Sequence, residues 1–162
     1  MIFVILGSQK FQFNRLLKQV DVLVERGIIA GEVFAQTGCS DYRPAHFAYK
    51  PFLDRDEFDR MQANADIVIT HGGTGAIIGA LKKNKKVIAV ARRACYGEHV
   101  DDHQSELLEQ FEQMHLICVC KDTDNLAQAL EQVRTTQYRA YKSNTGAIIA
   151  SIEEFITTGE GK

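Results

Sequence analysis

The chain has 162 residues, 45% of them hydrophobic and 25% charged, with 2 prolines, a globular composition that excludes a fibrous or disordered protein. Nineteen basic residues stand against 21 acidic ones, for a formal net charge of −2; that argues against a nucleic-acid or general polyanion binder but leaves room for one local phosphate site. A chain of this length can bury roughly 70% of its unfolded surface, so a single domain over residues 1–162 needs no disulfide or structural metal.

Residues 2–6 are an apolar run with no basic flank, too short for a signal peptide or a membrane span, and read as a buried first strand. Leu16, Val20, Leu23 and Val24 then recur at helical spacing after the polar Asn14, and Gly27 is the expected stop. Residues 32–36 read as a second strand, 38–44 as a turn-rich loop and 47–49 as a short third strand. Asp54 followed three residues later by Glu57 resembles a capping box, with Leu53 and Phe58 as its hydrophobic staple and Phe58, Met61 and Ala65 as the buried stripe. Residues 66–70 form a strand running into His71-Gly72-Gly73-Thr74-Gly75, and 76–83 a helix. A further strand at 86–91, a polar loop at 92–102, a helix carrying Leu107, Leu108 and Phe111, and a strand at 116–120 complete the sheet. Two amphipathic helices follow, one through Leu126, Leu130 and Val133, the other through Ile148, Ile152, Phe155 and Ile156.

This alternation of β-branched runs with helical patterns predicts an α/β fold, a doubly wound parallel sheet covered on both faces. The four cysteines, Cys39, Cys95, Cys118 and Cys120, contain no C-x-x-C pair and read as reduced thiols, with Cys118 and Cys120 on one face of their strand. With no targeting segment read, a cytoplasmic protein is expected, one that reaches a membrane only through a partner.

Ligands of open parallel sheets bind beyond the carboxyl ends of the strands, and three loops there carry polar or glycine-rich sequence. Gly7-Ser8-Gln9-Lys10 offers small residues whose amides can approach an anion, plus the Ser8 hydroxyl. His71 to Gly75 opens a helix whose N-terminal amides and dipole favour a phosphate, yet it matches neither the P-loop nor G-x-G-x-x-G. His71 is alternatively a residue that hydrogen-bonds the loop backbone. In the third loop, Arg92 or Arg93 can pair with phosphate, and His103 and Gln104 can present donors to sugar hydroxyls, while Asp101 or Asp102 caps the next helix. His99 and His103 stand four apart, and with His71 they define a zinc alternative that lacks the H-E-x-x-H glutamate.

At these loops the sequence resembles the C-terminal, nucleotide-sugar-binding domain of glycosyltransferase family 28. The phrases at 66–75 and 86–93, and then Tyr96-Gly-Glu-His-Val-Asp-Asp-His-Gln104, are most similar to small catalytic subunits of bacterial two-part exopolysaccharide and capsule glycosyltransferases. The soluble subunit of the eukaryotic enzyme that adds the second sugar of the dolichol-linked glycan is a further relative. The resemblance implies a Rossmann-like donor-binding half of a GT-B enzyme. UDP-sugar would sit with uracil and ribose near residues 70–76, diphosphate at the glycine turn, Gly7, Ser8 and Gln9 facing the phosphates, and Gln104 at the donor sugar. Where the peptidoglycan enzyme has a ribose-holding glutamate, this chain has Gly79, with Glu98 as a substitute.

A GT-B enzyme needs two Rossmann domains, and 162 residues build one. The expected partner is therefore a membrane-associated subunit that presents a lipid-linked saccharide. Inverting transfer puts negative charge on the departing UDP, to be met by amides of Gly73, Thr74 and Gly75 and by Arg92 or Arg93, with no metal or other cofactor expected. Candidate general bases are Glu98, His99 and His71, or a group of the partner. Galactose is the expected sugar, ahead of glucose and N-acetylglucosamine. The competing functions are a non-catalytic nucleotide-sugar-binding subunit and a zinc-dependent hydrolase.

Overall fold

A computed structural model describes residues 1–100 and 104–143 of the chain. The strands are β1 (Ile2–Ile5), β2 (Val33–Gln36), β3 (Ala48–Lys50), β4 (Ile67–Thr70), β5 (Lys86–Val90) and β6 (Cys118–Cys120). They pair entirely in parallel, in the order β3-β2-β1-β4-β5-β6. The helices are α1 (Asn14–Glu25), α2 (Arg55–Asn64), α3 (Thr74–Lys82), α4 (Gln104–Gln113) and α5 (Leu126–Thr135). This is the Rossmann strand order, which reverses direction between β1 and β4.

The alternation of strand side chains divides the core into two layers. Ile2, Val4 and Leu6 pack with Ile67, Ile69, Ile88 and Val90 under Leu16, Val20 and Leu23 of α1 and Leu130 and Val133 of α5. Phe3, Ile5, Val68, Val87 and Ala89 face the other way, beneath Ile77 and Leu81 of α3, Leu108 of α4 and the half-buried Phe58 and Met61 of α2. Cys118 and Cys120 share the first layer, as their spacing predicts, and all four cysteines are free thiols.

Helix ends follow local chemistry, with one correction. The Asp54 carboxylate caps α2 by accepting the Glu57 N–H at 2.8 Å. The Glu57 carboxylate reaches Lys50 Nζ at 2.6 Å. Gly27 ends α1 with φ +70°. Asn14, however, is the first residue of α1 and not its cap. Its amide instead bonds Asp41 and accepts the Tyr42 N–H at 3.0 Å, tying α1 to the loop after β2. The amphipathic pattern through Ile148, Ile152, Phe155 and Ile156, like Asp101, Asp102 and His103, lies outside the described residues.

Candidate functional site

β1 and β4 lie side by side in register, Ile5 opposite Thr70. Their connections diverge, α1 to one layer and α3 to the other, which opens a crevice at the carboxyl edge. Two turns rim it. The Gly7 turn has φ +73°, and the His71–Gly73 turn is drawn toward it by the His71 N–H, which donates to the Ile5 carbonyl at 3.3 Å. The His71 ring is wedged between the two turns. A Cβ on Gly7 would meet its Cε1 at 2.7 Å and one on Gly73 would meet its Nε2 at 2.5 Å, so both positions need glycine to admit the imidazole.

The rim is rich in donors. Leu6 N–H donates to the Gln36 carbonyl at 3.1 Å and Phe13 N–H to Ser40 Oγ at 2.9 Å. Between them, the amides of residues 7–12 have no acceptor among the described residues. Across the crevice, α3 starts at Thr74 with Gly73 as an N-cap that supplies no side-chain acceptor, so its first-turn amides are also open. Beneath the first turn lies Arg92, 1% exposed. Its Nη2 donates to the carbonyls of Leu6 at 2.7 Å and Phe11 at 3.2 Å. In a trans peptide the N–H points opposite to the C=O, so the amides of Gly7 and Gln12 face away from that guanidinium.

The cleft between these turns has a volume of about 410 Å³ and is lined by Gly7, Ser8, Gln9, Gln36, His71, Gly73 and Gly75, with Phe58 and Ala76. His71 Nδ1 lies 3.1 Å from the Ile5 carbonyl oxygen. A carbonyl only accepts, so Nδ1 carries the proton and Nε2 presents a lone pair. Burial first, and then the Arg92 charge, lower the His71 pKa to about 4, which keeps the ring neutral. The backbone-bonding alternative for His71 is therefore realised, beside its place in the cleft.

Several expected site residues lie elsewhere. Glu98 is fully buried; its Oε1 and Oε2 accept Arg15 Nε at 3.1 Å and Nη2 at 3.0 Å, and Oε2 also accepts the Arg93 N–H at 3.0 Å. That carboxylate ties the loop to α1, and Glu98, expected as a general base or ribose ligand, is buried against Arg15 and does not line the cleft. Arg93 donates from Nη2 to the Lys121 carbonyl at 2.9 Å and does not line the cleft. Arg92 lies buried beneath the Gly7 turn and not on an open surface. Gly72, with φ +86°, serves packing: a Cβ there would meet Leu108 Cδ1 at 3.2 Å. His99 is half-buried, its ring 5.2 Å from that of Phe11. Gln104 begins α4. Beside Gly79 sits the buried amide of Gln62, 3.5 Å from where a Cβ would be.

Two Asp-x-Asp spacings, a pattern that holds metal–nucleotide in other enzymes, are present at Asp54–Asp56 and Asp122–Asp124. Asp54 caps α2 and Asp122 pairs with Arg15 at 3.1 Å. Among the described residues no three His, Cys, Asp or Glu side chains gather as a metal-holding group; His103, the third ligand of the zinc alternative, falls outside them. A larger hollow of about 530 Å³ opens at the opposite edge of the sheet, lined by Met1, Asp66, Lys85 and Arg134 among others. In that hollow Met1 pairs with Asp66 at 2.6 Å, Lys85 donates to the Ala63 carbonyl and Lys86 to the Arg134 carbonyl.

Sequence reasoning missed Gln36. The one available signal was a polar residue ending the otherwise apolar strand Val33-Phe34-Ala35-Gln36 at the carboxyl edge.

Comparison with known proteins identifies the family and relatives of the chain. The model of the glycosyltransferase family 28 C-terminal domain matches residues 1–158. Over 70 residues, 43% of this chain and 34% of the relative, the sequence is 37% identical to the UDP-N-acetylglucosamine transferase subunit ALG13 of Kluyveromyces lactis. The chain spans between 32% and 46% of the length of the curated relatives it matches. Among solved structures it is similar to the solution structure of ALG13, with TM-score 0.60, 17% identity and 93% of each chain covered. It is also similar to Acinetobacter baumannii MurG, with TM-score 0.58 and 15% identity over 83% of this chain and 41% of that one. At these identities the structural likeness establishes the fold.

Proposed function

The chain belongs to the glycosyltransferase family 28 C-terminal domain family, and from that premise we propose that it is the donor-binding, catalytic subunit of a two-part inverting glycosyltransferase. It moves a hexose from a UDP-sugar to a lipid-linked saccharide in polysaccharide synthesis. The observation that carries the reading is the cleft at the β1–β4 switch point, lined on one side by Gly7, Ser8 and Gln9, whose amides have no acceptor among the described residues, and on the other by the open N-terminus of α3. Fixed amide dipoles on both sides suit the charge that grows on a departing diphosphate and need no reorganisation as it forms.

In this reading Gly7, Ser8 and Gln9 hold the phosphates from one side, and Gly73, Thr74 and Gly75 from the other. Arg92 adds charge from beneath, and His103 and Gln104 meet the sugar. No metal takes part. Neutral His71 accepts a hydrogen bond through Nε2, and its low pKa makes it a weak proton acceptor. With Glu98 committed to Arg15, the general base is His99 or a group of the partner. No described carboxylate lines the cleft, which supports the partner's share and also favours the second reading, a nucleotide-sugar-binding subunit without a base of its own.

The partner is a membrane-associated, acceptor-binding subunit that brings this chain to the cytoplasmic face; among the described residues no helix is long and apolar enough to cross a membrane. The relative from Kluyveromyces lactis is a UDP-N-acetylglucosamine transferase subunit, which supports that division; galactose, then glucose and N-acetylglucosamine, are the donor sugars to test.

Thermal denaturation of the purified chain with UDP-, GDP- and dTDP-sugars tests the proposal. A UDP-sugar at a hundred times its Kd stabilises the fold by about 2.7 kcal/mol, and UDP is released only when partner and acceptor are added. A chain that no UDP compound stabilises overturns the proposal. Binding without release in the complete mixture selects the second reading.

A further inference from the structure

The geometry points to Gln36 as a further ligand-binding residue, one that donates its carboxamide N–H to a phosphate oxygen of the diphosphate in the His71 cleft; this assignment rests on the nucleotide-sugar reading above. Gln36 ends β2 opposite Ile5 of β1, which places it one strand away from the Gly7 turn. It is only 7% exposed, and its side chain lines the same cleft as Gly7, Ser8 and His71.

Its orientation is fixed from behind. Oε1 accepts the Leu53 N–H at 3.1 Å, and a backbone N–H can only donate, so the oxygen of the amide faces Leu53 and the NH₂ group faces the other way. That NH₂ group has no acceptor among the described residues, and it is not one of the unpaired atoms sealed from solvent, unlike Gln62 Nε2 and Arg92 Nη1. A nearly buried amide whose donor end is unspent and opens into a cleft needs an acceptor from outside the chain. No acceptor of the described residues is bonded to it, and the surrounding backbone amides are open donors. The complementary ligand atom is an anionic oxygen.

Gln36→Glu tests this with a nearly isosteric change. One carboxylate oxygen still accepts from Leu53, and the other replaces the donor with negative charge. Calorimetric titration of the full chain with uridine diphosphate at pH ~8 is expected to give a Kd raised at least about ten-fold, the value of a hydrogen bond to a charged group. The unliganded melting temperature should stay close to that of the wild type. Lowering the pH toward ~5.5 should shrink the loss, since the introduced carboxyl regains a proton to donate; a purely structural role for Gln36 gives no such recovery. Equal affinity of variant and wild type overturns the assignment. If Gln36→Glu does not fold, Gln36→Leu removes the donor without adding charge, and unchanged affinity there overturns it equally. A wild-type chain that does not bind uridine diphosphate overturns the functional reading, and this assignment with it. Binding by the wild type with no effect of either variant overturns this assignment alone.

Discussion

His71 shows how a single side chain can join fold and site. It is held by glycine on both sides and by the Ile5 carbonyl at Nδ1, and its pKa of about 4 lies below the ordinary 6.5 because burial and Arg92 oppose a second proton. Between those two values the unfolded chain binds a proton that the folded chain does not. This contribution is therefore fully present above pH ~6.5 and is lost as the pH falls toward ~4, to the extent of about 3 kcal/mol. Chemical denaturation across that range should show the acid-labile component in the wild type. It should be missing in His71→Asn, whose amide can still donate to Ile5. At this scale the sequence announced the glycines, since turns that must pass close to a ring have few alternatives. It could not announce the fate of Glu98, because the partner that neutralises it, Arg15, is 83 residues away in the chain.

Elements fix the polar loop after β5 through that same pair. Arg15 on α1 clasps Glu98, Asp122 and Thr123 and stacks 4.7 Å from the Tyr96 ring. Burial works against the Arg15 charge, but Glu98 and Asp122 outweigh it and raise the pKa. Arg15→Met leaves the Glu98 carboxylate buried without its counter-charge and should cost about 3–5 kcal/mol. Arg15→Met with Glu98→Leu should recover part of this, with a coupling of about 1–3 kcal/mol in a double-mutant cycle read by urea denaturation. Independent, additive losses would show that the clasp does not hold the loop. The strands and most helices were legible because parallel strands buried on both faces read as unbroken apolar runs. The exception at Asn14 has a physical cause: a residue with a strong local capping preference is drawn away by Asp41 and the Tyr42 N–H, contacts that only the tertiary fold creates.

For the whole molecule, the strand order brings together pieces distant in sequence, the Gly7 turn, Gln36 and the His71 turn. Gln36 was signalled only as a polar residue at a strand end, and neither its orientation nor the inward course of Arg92 could be read beforehand, because both depend on which neighbouring loop supplies a backbone partner. Composition gave the right class and was silent about the site, since a net charge of −2 hides a cation placed under the backbone.

In the proposed nucleotide-sugar reading, that placement would separate the protein from binders that attract phosphate with surface lysines. Arg92 is sealed from solvent and, as an arginine, keeps its charge. Mobile counter-ions largely screen attractions that cross water over more than roughly 10 Å at 0.1 M salt, but they cannot gather around a guanidinium enclosed by protein. Titrations of uridine diphosphate at rising ionic strength should therefore give a nearly level affinity in the wild type. A steep decline would mean that exposed cations, and not the enclosed one, draw the nucleotide in.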